Sequence, residues 1–100
     1  MKAALAMAPD GYGWFQEDGM AKTRIPMMIM AGERDAVCPP RREAWPMYEG
    51  LGSEKYLVLQ PVAGHLSSCD FCGLQTTPRE ECPHLEKQIR TVSTAFWSST

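Results

Sequence analysis

The stretch Ile25-Pro26-Met27-Met28-Ile29-Met30-Ala31, ending at Gly32, is apolar at every position. Successive side chains of a strand point to opposite faces, so a strand apolar throughout must be covered on both. That is the mark of a strand inside a parallel sheet with helices above and below. Pro26 stands at the entry of the run, where a missing N–H does little harm.

The flanking segments extend this pattern. Lys2 to Ala8 is short and apolar, stopped by Pro9-Asp10-Gly11. Its alanines suit a helix, its length suits a buried strand, and periodicity does not arbitrate. The start superficially resembles a secretory leader. Its apolar part of six residues falls short of the roughly 7–15 of an h-region, so it reads as structure. Gly11 to Arg24 reads as a loop or short irregular stretch, with Gly11, Gly13 and Gly19 around the aromatics Tyr12, Trp14 and Phe15. Pro39-Pro40 opens a helical stretch, because proline is tolerated in a first turn. Ala44, Tyr48 and Leu51 then give it a narrow apolar face, with Gly52 as its stop and Pro46 as an expected kink.

Lys55 to Gln60 reads as the next strand, followed by Pro61 to Gly64 and a polar, cysteine-bearing loop from Leu66 to Pro83. The chain ends in an amphipathic helix. Leu85, Ile89, Val92 and Phe96 share one face, against Glu86, Lys87, Arg90 and Ser93 on the other. The order strand, loop, strand, helix, strand, loop, helix is α/β alternation, for which a parallel sheet with right-handed crossovers is expected.

Composition narrows the partners. With 10 Lys and Arg against 12 Asp and Glu in 100 residues, the net charge is −2, which excludes the clustered basic excess of a nucleic-acid binder. No apolar run approaches the ~20 residues needed to cross a bilayer, so no membrane partner is expected. The 44 % apolar and 22 % charged fractions are those of a globular domain, not of a disordered chain. Met20, Met27, Met28 and Met30 read as adaptable core filler and not as a copper site.

Two polar residues stand at matched offsets. Asp35 follows Ala31 by four residues, and His65 follows Gln60 by five. If the two strands run parallel, both emerge at the carboxyl edge of the sheet, where open α/β folds place their ligands. A carboxylate meeting an imidazole there fixes its tautomer and stabilises the imidazolium formed in proton transfer. The plainer alternatives are a solvated turn aspartate and a loop histidine. Tyr12, Trp14 and Phe15 follow the first strand at the same edge, where they either line a substrate pocket or plug the end of the core. Cys38, three residues past Asp35, is either a buried free thiol or a nucleophile paired with His65. Cys69, Cys72 and Cys82 cluster ahead of the last helix. The four cysteines permit two disulfides in three connectivities, and Cys69, Cys72 and Cys82 with His84 also offer a Cys₃His zinc site. Free thiols are the third alternative, and the compartment stays open.

The ordered set of residues resembles the α/β-hydrolases, above all the dienelactone-hydrolase-like and platelet-activating-factor-acetylhydrolase-like esterases, with polyester hydrolases and cutinases further off. Ile25 to Asp35 is similar to the family's penultimate core strand and acid turn, and Tyr56-Leu57-Val58-Leu59 with Gly64-His65 to its last strand and histidine loop. Lys2 to Pro9 resembles the strand after the nucleophile helix, and Thr94-Ala95-Phe96-Trp97 the end of the final helix. The resemblance implies Asp35 and His65 as catalytic residues and Tyr12, Trp14 and Phe15 as substrate contacts. It also implies a disulfide bracing the loop after the histidine, with Cys69, Cys72 and Cys82 as candidates.

One departure dominates. The family's Gly-x-Ser-x-Gly elbow, or its cysteine counterpart, does not occur; Gly50-Leu51-Gly52-Ser53 has the wrong spacing and precedes a strand. Residues 1–100 therefore read as the C-terminal portion of an α/β-hydrolase domain, with about three parallel strands, a crossover helix and a C-terminal helix. Such a portion is expected to leave one sheet edge and both faces uncovered. The implied function is the Asp–His half of an ester hydrolase acting on a small-molecule ester in the complete protein. No cofactor or metal is expected, and the chain alone is expected to be inactive; a truncated reading frame, a gene fragment and one piece of a split protein are all open, the last with a fragment carrying the N-terminal half as candidate partner. The alternative is a small non-catalytic binding module held by a Cys/His zinc site or by disulfides.

Overall fold

A computed structural model describes residues 3–10, 13, 19–65, 72 and 79–100. Three parallel strands form one sheet: β1 (Ala4–Met7), β2 (Met27–Gly32) and β3 (Lys55–Gln60), in the order β1-β2-β3. Met30 lies beside Met7 on one flank and Val58 on the other, so the apolar run is the central strand. Helix α1 (Ala44–Gly50) makes the crossover between β2 and β3, and α2 (Cys82–Ser98) follows a 3₁₀ turn at Arg79–Glu81.

The continuous apolarity of β2 has its expected cause. Ile29 and Ala31 face α1, where they are buried with Ala44, Met47 and Leu51. Met28 and Met30 face the other way, buried with Ala3 and Phe96 and flanked by Ile89 and Val92 of α2. Both faces of the central strand are thus covered, because the two helices fall on opposite sides of it, while Leu5 of β1 and Leu57, Val58 and Leu59 of β3 stay only partly buried. Helix α2 runs back along the sheet: Gln88, near its start, approaches Gln60, and Phe96, near its end, meets the Tyr56 ring edge-on at 5.9 Å.

Several boundaries differ from those expected. Pro39-Pro40 does not begin the crossover helix; the Pro39 carbonyl accepts from the amides of Arg42 and Glu43 in a turn, and regular helix starts at Ala44. Pro46 therefore occupies the first helical turn, where its missing N–H has no intrahelical acceptor to lose, and no kink is needed. The helix ends at Gly50, with Leu51 as its C-cap, before the expected stop at Gly52. Gly19, Met20 and Ala21, placed in an irregular stretch by sequence, are helical, with Met20 packed on the α1-side core. Regular helix α2 begins at Cys82, inside the expected loop. Among the described residues, no helix is long and apolar enough to cross a membrane.

Candidate functional site

Parallel pairing of β2 with β3 in the register Gly32 to Gln60 brings their following turns side by side. Each strand ends in an i to i+3 turn: the Asp35 amide donates to the Gly32 carbonyl at 3.1 Å and the Ala63 amide to that of Gln60 at 3.2 Å. The turns are also bonded to one another. The Glu33 amide donates to Gln60 and the Arg34 amide to Ala63, both at 3.0 Å. This backbone ladder carries the strand register past the ends of the strands and delivers Asp35 and His65 to one place.

There the His65 Nδ1 lies 2.9 Å from Asp35 Oδ2. In the tautomer with the proton on Nδ1, that N–H donates to Oδ2 and Nε2 of the neutral ring is left with the lone pair. The other carboxylate oxygen, Oδ1, accepts from the amides of Val37 at 2.9 Å and Cys38 at 2.7 Å. These bonds between a side chain and the amides two and three residues on hold the carboxylate in one orientation. The Asp35 side chain is wholly buried, whereas that of His65 is 27 % exposed. An imidazole that solvent can reach is therefore backed by a carboxylate that solvent cannot reach. The arrangement can take a proton at Nε2 while the buried carboxylate stabilises the resulting imidazolium.

Cys38 lies beside this pair without the character of a nucleophile. Its side chain is buried and its thiol unpaired with another cysteine. Burial, with the carboxylates of Asp10, Asp35 and Glu43 in support, pushes the thiol above its ordinary value against a smaller opposing effect of Arg42. Thiolate is the nucleophilic form, and this environment disfavours it.

The structure joins Cys72 to Cys82 in a disulfide. Of the cysteines left open by sequence, Cys69 lies outside the described residues, as do the aromatics Tyr12, Trp14 and Phe15. The disulfide withdraws two of the four ligands that a zinc site with His84 requires, since zinc binds thiolates. Among the described residues no group of three or more His, Cys, Asp and Glu side chains is placed to hold a metal ion. A cavity of about 390 Å³ opens between the carboxyl half of β3 and α2, lined by Val58, Pro61, His84, Lys87 and Val92 among others. Its lining includes neither Asp35 nor His65.

Reading along the sequence finds Asp35 and His65 but not what holds them together. The amides of Val37 and Cys38 carry no residue signature, and the contact of the two turns depends on strand register. No known family model matches this chain, and no curated protein matches it either.

Proposed function

We propose that this chain carries the acid–base part of a carboxylic ester hydrolase of the α/β-hydrolase type, resembling the dienelactone-hydrolase-like and platelet-activating-factor-acetylhydrolase-like esterases. The observation that supports this most is the 2.9 Å contact between His65 Nδ1 and Asp35 Oδ2 at the carboxyl edge of a parallel sheet, with Asp35 buried and His65 accessible. In this reading His65 Nε2 takes the proton of a serine or cysteine nucleophile as that group attacks the ester carbonyl. The same proton then passes from Nε2 to the departing alkoxide, and a second cycle with water frees the acid. Asp35 holds the imidazole in the required tautomer throughout. The nucleophile and the oxyanion donors belong to the N-terminal half of such a fold, outside residues 1–100, and Tyr12, Trp14 and Phe15 serve as contacts for the small-molecule ester.

The test is turnover of p-nitrophenyl acetate and butyrate, by this chain alone and after mixing with an N-terminal fragment that bears a Gly-x-Ser-x-Gly elbow. Alone, the chain should not exceed free imidazole at equal concentration. In the complemented pair, Asp35→Asn should lower kcat by about 10⁴ and His65→Ala by about 10⁶. Turnover that survives His65→Ala unchanged overturns the proposal. The rival reading, a cysteine-stapled binding module, draws support from the Cys72–Cys82 disulfide. One zinc per chain in native mass spectrometry would favour its metal-bound form.

A further inference from the structure

We propose that Gly32 is the positioning residue of the acid–base pair: by carrying no side chain it lets the Gly32–Asp35 turn seat on the Gln60–Ala63 turn, and that seating sets the approach of Asp35 to His65. This rests on the reading of Asp35 and His65 as a working pair. A Cβ at position 32 would lie 2.1 Å from the Ala63 carbonyl oxygen, 2.5 Å from its carbon and 2.9 Å from the Ala63 Cβ. Contacts that short do not occur, so one turn would have to withdraw. The nearest obstacle is backbone, which cannot rotate aside as a long side chain can.

The withdrawal has a direct path to the site. The Ala63 carbonyl that a Cβ would displace is the acceptor of the Arg34 amide, one residue before Asp35. Ala63 is itself two residues before His65. A displacement there lengthens the Nδ1–Oδ2 contact at both of its ends, whereas the bonds from Val37 and Cys38 to Oδ1 lie within the Asp35 turn and survive. Gly32 has no side chain with which to act on a substrate. Its effect runs entirely through the geometry of the pair.

The experiment reads the imidazole proton of His65 by NMR on the ¹⁵N-histidine-labelled chain, assigned by its loss in His65→Gln. The unaltered chain should show a downfield, slowly exchanging Nδ1–H signal, while exposed His84 should not. Gly32→Ala should lose the signal while the methyl resonances of Ile29 and Leu85 keep their folded positions. The double variant Gly32→Ala/Ala63→Gly should not restore it, because the clash is with the carbonyl and remains. Ile29→Val weakens the core under the same strand without touching the turns, and it should retain the signal. Glu33→Pro keeps folding in view should Gly32→Ala fail to fold. Proline suits the second position of that turn, but it deletes the amide bond to Gln60, so imidazole proton exchange should quicken about ten-fold. A Gly32→Ala signal with unchanged exchange overturns the proposal, as does loss of the signal in Ile29→Val to the same degree, or a Glu33→Pro exchange rate equal to that of the unaltered chain. None of these readouts involves ester hydrolysis, so failure of the hydrolase reading and failure of this one are separately visible.

Discussion

Asp35 shows how one residue can couple a turn to a site: one carboxylate oxygen holds its own backbone turn, and the other holds an imidazole thirty residues away. Its neighbour Cys38 has a measurable consequence. The folded chain keeps the thiol protonated above the ordinary value of 9.0. Above that pH the unfolded chain holds fewer protons than the folded one, so stability falls as pH rises. The contribution is fully present below the ordinary thiol value and is lost as pH climbs through it toward the raised one. Tyr56 adds a fall of the same sign, because the hydrogen bond to Glu54 favours its neutral form first and foremost. Cys38→Ser should therefore show a shallower decline in urea midpoint between pH 8 and pH 10 than the unaltered chain does; equal declines would refute this. Ala8 is a second residue with a consequence, since it holds a left-handed φ of 49° where β1 ends. That conformation costs an L-residue roughly 1–2 kcal/mol, and glycine escapes it at a loss of about 0.4–1 kcal/mol through the unfolded state. Ala8→Gly should raise stability slightly, by up to about 1 kcal/mol in denaturant titration.

At the scale of elements, the two helices divide the work of burying β2. On one side Ala44, Met47 and Leu51 come from α1 and its C-cap; on the other, Phe96 is the one residue of α2 in the fully buried cluster with Met28 and Met30. Phe96 is 3 % exposed and meets both Tyr56 and Trp97 edge-on or tilted. Phe96→Ala should cost about 3–5 kcal/mol, read as a lowered denaturation midpoint, because a cavity opens against the central strand. The apolar face of α2 was legible from the spacing of Leu85, Ile89, Val92 and Phe96, all of which pack inward. The start of α1 was not. Pro39 and Pro40 are as compatible with a turn as with a first helical turn, and the choice fell to hydrogen bonds that only the folded segment makes.

Over the whole molecule, the disulfide closes a loop of ten residues' separation between Cys72 and the first residue of α2. It thereby ties the stretch that follows His65 to the helix that covers the sheet. In the chain-entropy account a loop of this size adds up to about 3 kcal/mol. Reduction should lower the melting temperature accordingly, and the unreduced, folded chain should yield fewer than four titratable thiols; four would count against the bond. The edges of the sheet lie at β1 and β3, each paired on one side within the described residues.

The class of fold and the two polar residues at the sheet's edge can be read along the chain. A run apolar on both faces has to be sandwiched, and a residue a few positions past a parallel strand has to emerge at the carboxyl end. Those conclusions follow from periodicity, which is local. It is the packed molecule that makes β2 and β3 neighbours in a register that stacks their turns, and that buries Asp35 but not His65. The packed molecule also pairs Cys72 with Cys82. Each of these depends on which distant segments come into contact, and so does the bare backbone of Gly32 against Ala63. One hydrogen atom in place of a methyl group carries no pattern along the chain, and it acquires meaning only when a carbonyl from another strand occupies the space.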